Sequence, residues 1–256
     1  MPLISQAQAP RDGTGFRVGI YGGYYIPGDA PARYYAATDN NRLVNYLNNP
    51  FNRPRIIEAL GNYDFTLAQT AQDMVYNNSF VFELSGEILI RNNWYLAARF
   101  MNTKLTASGI FTLDVQRPNQ GQGFPNNLEQ VNIGGTEARS HIDLGFGKQL
   151  PVGENLYMLV EGGFDMVFIE VTNNEFFINQ ERFVLPVFTD PRNPQATPGN
   201  TVGTGFYLVG GFGYELPSNY GFWLKFTFQQ TRVNINRTVE EIAPIFTPAI
   251  GFTRSF

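Results

Sequence analysis

The chain has 256 residues, of which 16% are charged and 15% aromatic, with 26 glycines and no cysteine; ordinary soluble domains have about 25% charged residues. The missing cysteine excludes zinc fingers, iron–sulfur clusters and disulfide scaffolds, and the net charge of −4 argues against a nucleic-acid-binding protein. No apolar run approaches the length of about 18 residues that a membrane helix needs, so the composition is typical of an all-β protein.

Residues 1–13 are predicted to carry little regular structure. Ser5-Gln6-Ala7 has the small-x-small form of a signal-peptidase site and follows a short apolar stretch. Two alternatives remain for this segment, a flexible N-terminus or the remnant of a signal peptide.

Eight segments with period-2 alternation follow, and each is predicted to be a β-strand. One face of every segment is apolar, and the other carries glycines and charges. Arg254, on the apolar face of the last segment, is the exception. The segments cover about residues 16–25, 80–91, 94–101, 141–147, 156–168, 206–215, 222–229 and 250–256.

Short and long connections alternate between these segments, which places all short turns at one end and all long loops at the other. The short links are residues 92–93, 151–155 and 217–219, and the long ones are 26–78, 108–135, 171–202 and 231–245. Pro54 and Gly61 predict a short helix over residues 54–60 in the first long link.

Three features favour a membrane barrel, with its apolar side chains outward, over a soluble ligand-carrying barrel. The glycines share the charged face, as the crowded interior of a small barrel requires. The central part of each apolar face lacks charge, since a lipid-facing Lys or Arg costs about 2–4 kcal/mol at mid-membrane. Aromatic residues collect at both strand ends. We therefore predict that residues 14–256 form a closed antiparallel eight-stranded transmembrane β-barrel with short periplasmic turns and long extracellular loops.

The strand pattern and the aromatic C-terminus resemble those of known bacterial barrels. The chain resembles the small eight-stranded outer-membrane barrels of the OmpA/OmpX type, and the outer-membrane barrels of Bacteroidota with their Leu-Pro turns. Ile250, Phe252 and Phe256 are similar to the C-terminal signal that the barrel-assembly machinery reads, although Arg254 departs from it. The resemblance implies the bacterial outer membrane, contact with the lipid bilayer and lipopolysaccharide, and partners among other outer-membrane proteins.

Some eight-stranded barrels are lipid A-modifying enzymes, which resemble acyltransferases or deacylases with a His, a Ser and a carboxylate. Ser140 and His141 are adjacent, so they point to opposite faces of a strand and cannot form a dyad. His141 and Asp143 share the interior face, as an orienting pair would. We expect no catalytic, cofactor-binding or metal-binding residues.

The preferred function is a non-enzymatic barrel whose long loops bind a partner or pack in a larger envelope complex for secretion or nutrient uptake. A small-solute channel and a lipid A-modifying enzyme remain as alternatives.

The interior face is predicted to hold a polar network that plugs the barrel. We expect the three cations to bridge carboxylates from neighbouring strands, because unpaired buried charges cost several kcal/mol each. The network residues are Arg17, Glu83, Glu87, Arg99, Asp143, Glu161, Asp165 and Lys225.

Overall fold

Antiparallel β-strands form most of the chain. The structure, a computed structural model, describes residues 15–38, 41–118, 127–186, 200–233, 235 and 241–256. Residues 1–13, for which we expected a flexible segment or a signal-peptide remnant, lie outside these ranges.

The strands in chain order are β1 (Gly15–Pro27), β2 (Phe65–Gln69), β3 (Val75–Tyr76), β4 (Ser79–Leu89), β5 (Trp94–Val115), β6 (Leu128–Pro151), β7 (Leu156–Ile178), β8 (Glu181–Val184), β9 (Asn200–Glu215), β10 (Tyr220–Val233) and β11 (Glu241–Ser255). The helices are α1 (Arg42–Leu47) and α2 (Arg53–Ala59), with short 3-10 helices at Ala30–Ala36 and Arg91–Asn93. Among the described residues, no helix is both long and apolar enough to cross a membrane.

Eight strands close into a ring in which every neighbouring pair is antiparallel. The order is β1, β4, β5, β6, β7, β9, β10 and β11, and β11 returns to pair with β1. Closure satisfies the backbone groups that an open sheet edge would expose to lipid. The predicted eight-stranded antiparallel barrel is therefore confirmed.

The short turn between β4 and β5 contains two residues with positive φ. Asn92 and Asn93 have φ angles of 63° and 62°, and the backbone N–H of Ile90 donates to the carbonyl of Trp94 across the turn. Asn adopts positive φ more readily than most residues do.

Three neighbouring strands are much longer than the others. β5, β6 and β7 have 22, 24 and 23 residues, whereas the other ring strands have 11 to 16. The loops that we placed at 108–135, 171–202 and 231–245 are consequently too long, because strand continues into both ends of each of them. The outward faces there are mostly polar, so the search for apolar alternation missed these strand ends.

The upper part of the three long strands forms a wall above the barrel. We define the wall as β5 from Asn102, β6 up to Ser140 and β7 from Glu170, together with β8, which pairs with β7. Below the wall the outward side chains of these strands are mostly apolar, and within the wall they are mostly polar.

The first long connection, predicted over residues 26–78, folds into a cap against the inner face of the wall. We define the cap as residues 28–38 and 41–78, which include α1, α2, β2 and β3. Helix α2 matches the helix predicted over residues 54–60. Leu43, Ile56 and Leu60 of the cap share one buried cluster with Ile133 and Val167 of the barrel strands. The cap is therefore an extension of the barrel core.

An apolar belt surrounds the ring. One aliphatic side chain from each ring strand shows the pattern, with exposed fractions between 41 and 69%: Ile20, Leu84, Leu96, Leu144, Val160, Leu208, Leu224 and Ile250. Since these side chains point away from the core, they form the surface that faces lipid.

Aromatic rings and cations mark the lower edge of this belt, at the short turns. The ammonium nitrogen of Lys148 lies 4.9 Å from the centre of the Trp94 ring. Arg254 lies 5.4 Å from the ring centre of Tyr220 and 4.9 Å from that of Phe256. Paired rings and cations are typical of the membrane–water interface, which explains why an arginine is tolerated at position 254.

Candidate functional site: the filled lumen and its cap

The eight charged residues predicted to face the interior all lie there. Their exposed fractions range from 0 to 3%. They are Arg17, Glu83, Glu87, Arg99, Asp143, Glu161, Asp165 and Lys225. Charges this deeply buried need partners, and the partners arrange them in layers along the barrel.

The layer nearest the short turns is centred on Arg17. Its Nε donates to Glu87 Oε2 at 2.8 Å, and its Nη1 donates to Glu215 Oε1 at 3.0 Å. The guanidinium also lies 5.0 Å from the ring centre of Trp223. Glu87 is on the neighbouring strand β4, as predicted, whereas Glu215 is on β9 across the lumen and was not in the predicted set.

The next layer joins both neighbouring and non-neighbouring strands. Lys225 Nζ on β10 donates to Glu83 Oε1 on β4 at 2.6 Å. Arg99 Nη2 on β5 donates to Glu161 Oε2 on β7 at 2.5 Å, and its Nη1 lies 3.9 Å from Glu83 Oε1. We expected bridges between adjacent strands, and the contact of Arg99 with Glu83 joins the neighbouring strands β5 and β4. The other two bridges span non-adjacent strands, because an eight-stranded interior is narrow enough for long side chains to cross it.

Glycines make room for the aromatic member of this layer. The hydroxyl of Tyr207 donates to Glu161 Oε1 at 2.6 Å. A Cβ added at Gly145 would overlap that hydroxyl, and one added at Gly163 would lie 2.8 Å from the same ring. Glycine on the charged face is thus required for the side chains that fill the lumen.

The third layer brings His141 together with two aspartates. His141 Nδ1 lies 2.9 Å from Asp165 Oδ1, and its Nε2 lies 2.9 Å from the hydroxyl oxygen of Tyr25. Asp143 stands directly opposite Asp165 in the register of β6 and β7. We predicted that His141 and Asp143 share a face, but Asp165 is the aspartate that contacts the imidazole.

Above this layer, buried polar contacts fasten the cap to the barrel. The hydroxyls of Tyr35 and Tyr76 donate to Glu137 Oε2 at 2.6 and 3.0 Å. Arg139 Nε donates to Glu137 Oε1 at 2.5 Å, and its Nη2 donates to the hydroxyl oxygen of Tyr76 at 3.2 Å. Burial, and next the nearby Glu137 carboxylate, raises the pKa of both tyrosines well above the ordinary value. Both hydroxyls therefore stay protonated and able to donate.

Sequence reasoning missed Glu137 and Arg139 because the fourth predicted segment began only at position 141. The alternation continues upstream, with Glu137, Arg139 and His141 inward and Ala138 and Ser140 on the other face. The available signal was the period-2 alternation of charged with small residues. A search for strands with one apolar face assigns such a segment to a loop.

Ser140 and His141 lie on opposite faces, as predicted. The hydroxyl of Ser140 accepts a hydrogen bond from Asn102 Nδ2 at 2.9 Å on the outer surface, while His141 is fully buried. A nucleophile and its base must be within hydrogen-bond reach of each other, and these two are not.

The C-terminal residues predicted as an assembly signal, Ile250, Phe252 and Phe256, all lie exposed on the outer surface. That position leaves their side chains accessible from the membrane side. Their role in assembly stays a prediction.

Comparison with known proteins supports the architecture. No protein-family model matches the chain, and no curated protein matches it. The solved structure of Neisserial surface protein A is similar over 95% of this chain and 99% of its own, with a TM-score of 0.52 and 7% sequence identity. OprG from Pseudomonas aeruginosa covers 98% of this chain and 99% of its own, with a TM-score of 0.42 and 10% identity.

The first of these similarities concerns the fold alone, and it agrees with the eight-stranded ring and the lipid-facing belt. The chain is an integral β-barrel of the bacterial outer membrane. Its architecture is that of the small OmpA/OmpX-type barrels.

Proposed function

We propose that this barrel is neither an enzyme nor a channel, and that its extracellular wall and cap bind another protein of the cell envelope. The finer proposal follows the resemblance in sequence: the partner belongs to a secretion or nutrient-uptake complex, in a bacterium of the Bacteroidota type, and the belt contacts lipopolysaccharide in the outer leaflet. The observation that carries the proposal is the group of exposed apolar side chains on the outward face of the wall.

Three apolar side chains on this face have neither lipid nor protein core to cover them. Ile110, Phe177 and Val184 are exposed to 50, 45 and 49%. Ile110 is opposite Asn132 on β6, and Asn132 is opposite Phe177 on β7. Ile110 and Phe177 therefore lie in one row across the sheet. Exposed apolar residues grouped on a rigid surface are typical of a protein-interaction site.

The wall also extends far enough to reach a partner outside the membrane. At about 3.3 Å per residue and a strand tilt of about 40°, β5 continues on the order of 30 Å beyond the belt. Its inner face is packed by the cap, so the wall is rigid without the partner. A preformed surface of this kind binds without a large cost of ordering.

The filled lumen supports the proposal against the channel. A water-filled pore exposes the charged side chains that line it, whereas here their exposed fractions do not exceed 3%. Full burial of His141 likewise leaves a lipid substrate no route to the imidazole, which disfavours the lipid A-modifying enzyme. For that alternative the readout is the lipid A profile, which we expect to be the same in cells carrying His141→Ala and in wild-type cells.

The direct experiment is site-specific photo-crosslinking in intact cells. A benzophenone amino acid at Phe177 should give a protein adduct of defined mass. Phe212, which is 50% exposed on the belt, is a matched control that faces lipid and should give none. The double substitution Ile110→Asn with Phe177→Asn should dissociate the native complex in mild detergent. A protein that yields no adduct from the wall and migrates as a monomer would contradict the proposal.

A further inference from the structure

Two buried aspartates in the lumen have no lysine or arginine partner among the described residues. Asp143 and Asp165 are directly opposite each other and fully buried, an arrangement in which like charges destabilise a sheet. Arg99 is opposite Asp143 on the other side, but it donates to Glu161. Within the described part of the chain, no lysine or arginine forms an ion pair with either aspartate. Two facing carboxylates are stable only with a shared proton or a positive charge between them.

His141 completes a donor set typical of a transition-metal ion. Potential ligand atoms of His141, Asp143 and Asp165 all lie within 4.8 Å of one another. Imidazole nitrogen combined with carboxylate oxygen suits zinc and other first-row divalent ions, whereas calcium and magnesium prefer oxygen alone. Sequence analysis expected no metal-binding residues. Asp165 is 24 positions from His141 and meets it only through the register of two strands, which no local motif shows.

Gln229 on β10 provides an independent observation. The side chain is fully buried, and its Oε1 has no hydrogen-bond partner. Without an ion, its Nε2 donates at 3.4 Å to both carboxylate oxygens of Asp143 and lies 3.4 Å from His141 Nδ1. A bound ion would turn this amide by half a turn, so that the unpartnered oxygen takes the place of Nε2 beside the cluster.

Some of these separations are close to those around a bound ion. Ligand bonds of about 2.0–2.2 Å in a tetrahedral site place the ligand atoms about 3.3–3.6 Å apart. The amide nitrogen of Gln229, whose place the oxygen takes on rotation, is 3.4 Å from His141 Nδ1 and from the Asp143 carboxylate. The distance of 2.9 Å between His141 Nδ1 and Asp165 Oδ1 has to open by a few tenths of an ångström.

We propose that His141, Asp143, Asp165 and Gln229 bind one divalent transition-metal ion in the lumen. The ion takes the place of the proton on His141 Nδ1, and that proton moves to Nε2, so the imidazole stays neutral; a proton that the two aspartates share is released to solvent. His141 then donates its Nε2–H to the hydroxyl oxygen of Tyr25. Such outer partners orient metal ligands. The ion ties β6, β7 and β10 together and supplies the missing positive charge.

The position of the site predicts slow metal exchange. The buried pair of Glu137 and Arg139 lies on the cap side of the cluster. The pair of Glu161 and Arg99 lies on the side of the short turns. Leaving the barrel requires at least one of these layers to open. A bound ion should therefore resist removal by a chelator while the barrel stays folded.

The test is to refold the full chain into detergent with zinc chloride or manganese chloride, treat it with EDTA, desalt it, and measure metal by mass spectrometry. We expect about one zinc ion per folded barrel, and a more than fivefold loss in the Asp143→Asn and His141→Gln variants. Glu87→Gln, which alters a buried carboxylate outside both the cluster and the two layers that enclose it, is the matched control and should keep its zinc. Folding of each variant is checked by heat-dependent gel mobility.

A second measurement separates metal loss from misfolding. Zinc present during refolding should raise the thermal unfolding temperature of the wild type and leave that of Asp143→Asn unchanged. Folded wild type with less than a tenth of an ion per barrel would overturn the proposal and leave a pair of aspartates that share a proton. Full zinc content in His141→Gln would overturn it as well, since the ion would then lie elsewhere. Neither outcome depends on whether the wall binds a partner.

Discussion

Replacing Arg99 by alanine tests whether water is excluded from the charged side chains in the lumen, as their burial indicates. Breaking a buried ion pair on one side costs about 3–5 kcal/mol, because it leaves an uncompensated charge. Two features place Arg99→Ala near the lower value. Arg99 Nε and Nη1 have no hydrogen-bond partner, so their loss removes two unsatisfied donors, and Glu161 keeps the hydrogen bond from Tyr207. We expect a loss of about 3 kcal/mol in the free energy of unfolding.

The assay is urea unfolding of the reconstituted barrel, followed by tryptophan fluorescence. Arg55→Ala is the control, because Arg55 pairs with Glu181 at 2.7 Å while the two side chains are 58 and 37% exposed. Exposed pairs contribute about 0–1 kcal/mol. Equal losses in the two variants would refute the reasoning, since they would mean that water reaches Arg99. Adding Glu161→Leu to Arg99→Ala should recover part of the loss, because the stranded carboxylate is then gone.

Three further predictions test the packing and the cap. Gly145→Ala should cost about 1–3 kcal/mol in urea unfolding, since the new methyl group overlaps a buried tyrosine hydroxyl; Gly210→Ala, whose Cβ would have nothing within 4 Å, should unfold like the wild type, and equal effects would contradict the packing argument. Tyr35→Phe removes a donor from the buried Glu137 and should weaken the cap by about 1–3 kcal/mol, so limited proteolysis should cut the cap at lower protease concentration; an unchanged digest would exclude the tether. A hydrogen bond from the backbone N–H of the next residue, and then a nearby arginine, lowers the pKa of Asp64. The ionised Asp64 therefore stabilises the cap fully above the ordinary pKa of about 3.9, and this stabilisation is lost as the pH falls through the lowered pKa. Proteolysis of the cap should increase across that pH interval in the wild type, whereas parallel pH profiles for wild type and Asp64→Asn would refute this role.

The barrel itself was predictable because lipid imposes a pattern on every strand that crosses it. Outward positions within the belt must be apolar, so segments such as residues 156–168 show clear alternation. The wall faces water on its outer side and loses that constraint, which is why β6 was predicted to begin after residue 135 and actually begins at Leu128. The cap was recognised as a long connection with one helix, but its packing depends on contacts between distant residues.

Which charges face inward also followed from alternation, whereas their partners did not. Lys225 and Glu83 are 142 positions apart and meet across the ring. The opposition of Asp143 and Asp165 depends on the register of β6 against β7, and a shift of one residue would turn one of the side chains outward. Register and strand tilt are properties of the closed barrel, so no local sequence pattern reports them.

Planar-bilayer recording of the wild-type protein tests the central claim most directly. The claim is that layered ion pairs and the cap close the lumen, with charged side chains that are at most 3% exposed. We predict no steady conductance at moderate voltage from protein whose folding is verified by gel mobility. A stable open conductance that disappears when the protein is omitted would contradict the closed lumen and favour the channel.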